Sequence, residues 1–255
     1  YKACQQEKTV PNTIPRFSSN VTTFISDQLG LDYPVFQDIP KRSQRHLLQE
    51  IRKKLSFRKL SLQEKETLTR FLVKEILVED HHPDFIREHL HNHLKNNRLS
   101  FPSEEEENEI IRSAHYIFER NFFGSIFQKL PEKFKSSIDK WLELHGSPDF
   151  KVGLTELKRS PGSIGVKSAL EEAQKLKTIQ GFHLPQKLTD QISAKVLRKY
   201  YQRAISQSIW EFKRQPEEIR YALLALFLDA RRKIITDDLI ELLIQITHKI
   251  KINSE

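Results

Sequence analysis

The stretch Arg42-Ser43-Gln44-Arg45-His46-Leu47-Leu48-Gln49-Glu50-Ile51-Arg52-Lys53-Lys54-Leu55 decides the fold class. Its apolar residues, Leu47, Leu48, Ile51 and Leu55, follow the helical spacing of one buried face and not the alternation of a strand. The same period runs outward from it. Upstream, Val21, Phe24, Ile25, Gln28 and Leu29 form a stripe that Gly30 can terminate. Downstream, Ser61 with Glu64 spells a capping box ahead of Leu68, Phe71, Leu72 and Ile76. Pro83 suits a first helical turn before Phe85, Ile86, Leu90 and Leu94. Ser103 with Glu106 repeats the capping box before Ile110, Ala114 and Phe118. Pro131 opens a helix with Phe134, Ile138, Trp141 and Leu142, and another over about 166–179 ends at Gly181. Thr189 is placed to cap a long helix through Ile205, Pro216 opens the next, and Thr236 caps the last. No strand pair is visible. The pattern predicts an all-α fold of about ten helices, with a helix-turn-helix-like unit near the N-terminus.

A polar stretch at Asn96–Arg98 before Pro102, and a Gly/Pro cluster over 145–165, suggest three parts. These are helical segments over 1–100, over 101–150 as a continuation or linker subdomain, and over 151–255 as a scaffold or dimerisation region; the charge distribution described next makes the first a candidate DNA-binding domain and the second a candidate second DNA-binding subdomain. No fixed-period repeat marks a solenoid. With 255 residues the chain can bury a sizeable core. Cys4 is its single cysteine, which excludes an intrachain disulfide and a thiolate zinc site. The longest uncharged apolar run, Tyr221–Leu228, is too short to span a bilayer, so no membrane partner is expected. The sequence contains no Met and reads as a piece of a larger protein.

The formal charge is +8, and its distribution carries the functional reading. Residues 41–60 hold Lys41, Arg42, Arg45, Arg52, Lys53, Lys54, Arg58 and Lys59 against Glu50 alone, a net +7 in twenty residues. With the apolar stripe buried, Arg42, Arg45, Arg52 and Lys53 should lie on the solvated side. A basic helix preceded by a short amphipathic one is the layout of a helix-turn-helix, whose cations neutralise phosphates and can read guanine edges. The bland alternative is a solvated basic face. Arg42, Arg45 and His46 are expected to make contact at the helix start, and Arg52, Lys53, Arg58 and Lys59 to meet phosphates. Six to eight neutralised phosphates imply a log K against log salt slope of roughly −5 to −7. A secondary basic patch, Lys195, Arg198, Lys199 and Arg203, sits at helical spacing. Arg231, Arg232 and Lys233 are read as cations at a helix C-terminus, favoured by the dipole.

Other constellations carry less. His89 and His93 stand at a chelating i, i+4 spacing within a cluster that includes His81, His82 and His91, but no HExxH accompanies them. Glu104–Glu107 are successive residues that cannot converge on one ion, and they suit a first helical turn, as do Asp237 and Asp238. No phosphate-binding loop, nucleophile elbow or dinucleotide motif occurs. No catalytic or metal-binding residue is assigned.

Several segments resemble the Tn-three family of replicative transposases, the large enzymes of bacterial class II unit transposons. Ile14-Pro15, Val21 through Gly30, Arg45-His46, Glu50-Ile51-Arg52 and Leu55-Ser56-Phe57-Arg58 are similar to its N-terminal region. Arg220 through Ala225, Arg231, Thr236 through Ile244 and His248-Lys249-Ile250 look like the segment preceding its catalytic region. Leu154 through Lys158 with Pro161-Gly162, and Glu172, Lys175-Leu176 and Leu184-Pro185, fit between them. Two departures stand out: Ser56 replaces a common Gly, and Phe36 stands near a usual Tyr.

The resemblance implies binding to double-stranded DNA at the transposon's terminal inverted repeats. Strand cleavage and joining, by a magnesium-dependent acidic triad on an RNase-H-like fold, would lie further toward the C-terminus. No cofactor is expected here; Mg²⁺ would belong to the missing catalytic domain. Self-association as a dimer in the full-length protein, and a bacterial cytoplasmic location with nucleoid association when DNA is bound, are implied too. The competing reading is an all-helical scaffold or dimerisation module with no nucleic-acid role. A free-standing transcription regulator fits the helix-turn-helix but not the C-terminal similarity.

Overall fold

The computed structural model describes residue 27 and residues 41–144, 152–186 and 188–252. The expected helix at 21–30 and Cys4 therefore fall outside the described residues, residue 27 apart. Among those residues the fold is all-α, with ten α-helices, one π-helical turn and a single isolated β-bridge. Two compact units are distinguished. Unit one takes residues up to Leu77 and His82–Tyr116; unit two takes Val78–His81 and Ile117 onward. The break expected near residue 100 falls inside unit one, where Leu99 and Ser100 are buried.

In unit one, α1 (Lys41–Leu55) is followed by α2 (Leu62–Phe71), which passes into a π-helical turn over Leu72–Ile76. Then come α3 (Pro83–Asn96) and the first half of α4 (Glu104–Lys129). Both expected capping boxes form. Ser61 Oγ accepts from the Glu64 amide while the Ser61 amide donates to Glu64, and Ser103 and Glu106 repeat this reciprocal pair. Leu48, Leu68, Leu72, Ile86, Leu90, Leu94 and Ile110 make the core. Each such burial contributes roughly 1.5–3 kcal/mol.

Two helices of this unit end in the same way. At the end of α1 the Phe57 amide donates to the Arg52 carbonyl (2.8 Å) and the Ser56 amide to Lys53 (3.3 Å), with Ser56 at φ +57°. At the end of α3 the Leu99 amide donates to Leu94 (2.9 Å) and the Arg98 amide to Lys95 (3.1 Å), with Arg98 at φ +52°. Both are Schellman motifs whose left-handed residue is not glycine. The two exits then pair as a parallel bridge. The Arg58 amide donates to the Arg98 carbonyl (2.8 Å), and the Ser100 amide donates to the Arg58 carbonyl (2.9 Å).

Unit two contains the second half of α4, α5 (Glu132–Glu143), α6 (Leu154–Lys158), α7 (Val166–Gly181), α8 (Ala194–Ser206), α9 (Ile209–Arg214) and α10 (Glu217–Ile252). The apolar run Tyr221–Leu228 is buried on every side, which makes α10 the axis against which α7 and α8 pack. Three expectations change here. Thr189 is no cap: it is buried and donates to Asp229, while Ser193 caps α8 by accepting from the Val196 amide. Thr236 is no cap either. It lies inside α10 and donates to the Arg232 carbonyl, because nothing between 217 and 252 breaks the helix. Arg231, Arg232 and Lys233 consequently sit in mid-helix, not at a C-terminus. Arg232 and Lys233 neutralise buried Asp229 at 2.6 and 3.1 Å. Arg231, also buried, donates to the Arg159 carbonyl (3.0 Å), which Lys175 caps from its other side (3.0 Å) while pairing with buried Glu172 (2.5 Å).

Ser56 occupies a backbone conformation that costs a side-chain-bearing residue about 1 kcal/mol relative to glycine. Ser56→Gly is expected to raise amide-exchange protection over 44–55 and 94–100 about five-fold, and Ser56→Val to lower it. Equal protection in all three proteins would contradict the strain.

Candidate nucleic-acid interface

The site is built on α1. Leu48 is buried and Ile51 and Leu55 are half-buried, so these three define the side of the helix that faces the core. Leu47, expected in the same stripe, is instead 45% exposed. At about 100° per residue, the opposite side presents Arg42, His46, Gln49, Glu50 and Lys53, with Arg45 on one flank and Lys54 on the other. All seven are exposed.

The predicted cations divide by what they touch. Arg42, Arg45, His46, Lys53, Lys54 and Lys59 lie at the surface, and Lys41 begins the helix. Arg52 does not lie on the solvated side. It is half-buried, and its Nε donates to the hydroxyl of fully buried Ser100 (2.9 Å). Burial draws the Arg52 pKa below the ordinary guanidinium value, and the group stays charged at neutral pH. Arg52 is thus a clamp between the last turn of α1 and the segment leaving α3. Arg58 pairs with Glu64 (3.2 Å), the same carboxylate that closes the capping box of α2. The bridge brings in a cation that sequence reasoning missed: exposed Arg98, whose carbonyl holds the Arg58 amide. Its position 40 residues away in sequence hid it.

The secondary patch is differently arranged. In unit two, Lys195 pairs with Asp80 (2.7 Å), Lys199 contacts His81 Nδ1 (2.7 Å) and Arg203 pairs with Glu119 (3.3 Å). Three of its four charged ends are thereby engaged inside the unit. Arg198 is exposed.

The histidines separate. The His89 imidazole bonds the Phe85 carbonyl (2.8 Å), His91 meets Glu107 (2.9 Å) and stacks on Phe101, and His93 packs on Phe71 with ring centres 4.2 Å apart. Burial lowers the His93 pKa, against an opposing pull from Glu75. The acidic run does not converge either. Glu106 binds Lys65 (2.7 Å) and the Ser103 cap, and Glu107 binds Arg87 (3.2 Å) and His91. These donors do not fit a magnesium centre. Among the described residues no group of three or more His, Cys, Asp or Glu is placed to hold a metal ion, and no helix is long and apolar enough to cross a membrane.

Residues 2–114 match the family described as a domain of unknown function, DUF4158. A stretch of 157 residues is 26% identical to the "Transposase for transposon Tn2501" of Escherichia coli, covering 62% of this chain and 16% of that protein. The similarity to that transposase spans about a sixth of its length.

Two outcomes follow from the geometry. Arg52→Ala should destabilise unit one by about 1–2 kcal/mol through loss of a charged hydrogen bond to a buried partner, read as lost amide protection over 41–116, whereas Arg45→Ala should leave protection unchanged. Because the folded state lowers the His93 pKa, its neutral form stabilises the fold above the unfolded value of about 6.5, and that contribution is lost as pH falls through this range. Protection should therefore drop between pH 7.5 and 5.5, and His93→Gln should flatten the drop; an equal drop in the variant would acquit His93.

Proposed function

We propose that this chain is the end-recognising part of a transposase, which binds the terminal inverted repeats of its transposon as double-stranded DNA through the outward face of α1. The observation that carries the reading is the cationic rim of that face. Arg42, Arg45, Lys53 and Lys54 are exposed on one helix, and Lys59 and Arg98 are exposed beyond its end. Helix α1 supports a role as the recognition helix of a helix-turn-helix-like unit, entering the major groove while cations at its margins meet phosphates. The chemistry of strand transfer is assigned to no residue of this chain. Its magnesium-dependent triad belongs to a catalytic domain of the longer protein, acting in the bacterial cytoplasm on nucleoid DNA.

A second reading applies to unit two and is compatible with the first. Ile240, Leu243, Ile244 and Ile250 are 54–60% exposed along one stretch of α10, an apolar stripe at helical spacing. The stripe suits self-association as a dimer, and a scaffold role for this half of the chain.

With Arg52, Lys54 and Arg58 engaged within the chain, about five neutralised phosphates give a log K against log salt slope of roughly −4.5, shallower than eight free cations imply. Titration of labelled duplexes, one random and one carrying the source element's inverted repeat, should show tighter binding to the repeat with that slope. Arg42→Glu with Arg45→Glu should weaken it by at least ten-fold without loss of helicity. A slope near zero, or unchanged affinity in the folded double variant, would reject α1 as the contact. In sedimentation without DNA, Leu243→Glu with Ile244→Glu should shift a dimer to monomer; a wild-type monomer at all concentrations removes the second reading.

A further inference from the structure

The outward face of α1 is not uniformly basic. Around the helix, the direction opposite the core passes closest to His46 and Lys53, with Gln49 and Glu50 about 50° to either side, and His46, Gln49 and Glu50 lie midway along its length. Arg42 and Lys53 bound them toward the two ends, and Arg45 and Lys54 toward the two sides. Among the described residues no hydrogen bond or ion pair engages the Gln49 amide or the Glu50 carboxylate. The centre of a phosphate-binding surface thus holds an imidazole, an amide and the single carboxylate of residues 41–60. A carboxylate set against phosphates is repelled. Set over the floor of a major groove it is not, because base edges offer N–H donors there. A cationic rim about a neutral-to-acidic centre matches a duplex, in which two phosphate strands flank a row of donors and acceptors.

We propose that Gln49 and Glu50 are specificity-determining residues that face base edges, Gln49 reading an adenine through its N6 donor and N7 acceptor and Glu50 accepting from a neighbouring cytosine N4. This rests on the duplex-binding reading above and deepens it. An amide is the side chain whose donor and acceptor match adenine's pair in the major groove, and a carboxylate matches the cytosine donor. The surrounding cations bind every sequence alike, so discrimination falls to the centre.

The test is selection of duplexes from a pool with a randomised core by the full chain, as wild type, Gln49→Ala and Glu50→Ala. Alanine is the best helix former, so both variants keep α1, which circular dichroism checks. Wild type should enrich a motif containing an adenine. Gln49→Ala should lose the adenine preference at that position by roughly 5- to 100-fold, with the other positions and the salt slope unchanged. Glu50→Ala should lose preference at an adjacent cytosine while binding random duplex as well as wild type or better. If both variants enrich the wild-type motif, or if Glu50→Ala gains affinity for all sequences equally with its preference intact, the assignment is overturned and duplex binding stands. Salt-dependent wild-type binding that enriches no motif also overturns it, leaving charge alone. If wild type binds no duplex, the underlying reading fails with it.

Discussion

The N-terminal unit depends on how two helix ends are disposed of. A helix leaves its last carbonyls without partners, and burying such an end is costly unless something satisfies them. Here α1 and α3 each close with a left-handed residue and a pair of back-directed amides, and their exits then satisfy each other through Arg58, Arg98 and Ser100. The Arg52 side chain adds a tie to the Ser100 hydroxyl. This junction fixes the end of α1. Which residues of the basic helix face outward follows from it and from the anchoring of Leu48, Ile51 and Leu55.

The junction also sorts the positive charge. Two helix C-termini, each with the equivalent of about half a negative charge, meet at one place. Cations gathered there, in the last turns of α1 and α3, are favoured by the local field whether or not DNA is ever bound. Cations at the other end of α1 have no such explanation. Arg42 and Arg45 stand in its first turns, where the dipole disfavours them. Their presence against that field makes them the better sign of an anionic partner.

The fold class and most helices were legible in the sequence, because a period of 3.6 and serine caps are local signals. Ser61 and Ser103 cap as their spacing indicates. Legibility failed where tertiary contacts outweigh local propensity. Thr189 and Thr236 have the chemistry of caps, but one is consumed by buried Asp229 and the other rides inside a helix that nothing interrupts. The roles of Arg52 and Arg98 depend on a contact between distant segments, which no local spacing encodes. Glu172 and Lys175 enter the sequence reading only through the transposase resemblance, and Arg231 as a cation at a helix end. Glu172, Lys175 and Arg231 prove to be buried, and their purpose is internal.

That buried group bears on how such a chain can change over time. Glu172, Lys175 and Arg231 converge near the carbonyl of Arg159, with one oxygen of Glu172 and the Nε of Arg231 already lacking partners among the described residues. Replacing Glu172 or Lys175 alone strands the other's charge where water cannot reach it, and replacing Arg231 alone takes a donor from the Arg159 carbonyl, whereas replacing all three with apolar side chains of matching volume need cost little. The path between those two sequences runs through unstable intermediates. Lineages are therefore expected to hold the trio together or lose it together. Residues far apart in the alphabet of the chain are bound into one inherited unit, while the exposed surface of α1, with its side chains in water, is free to drift one position at a time.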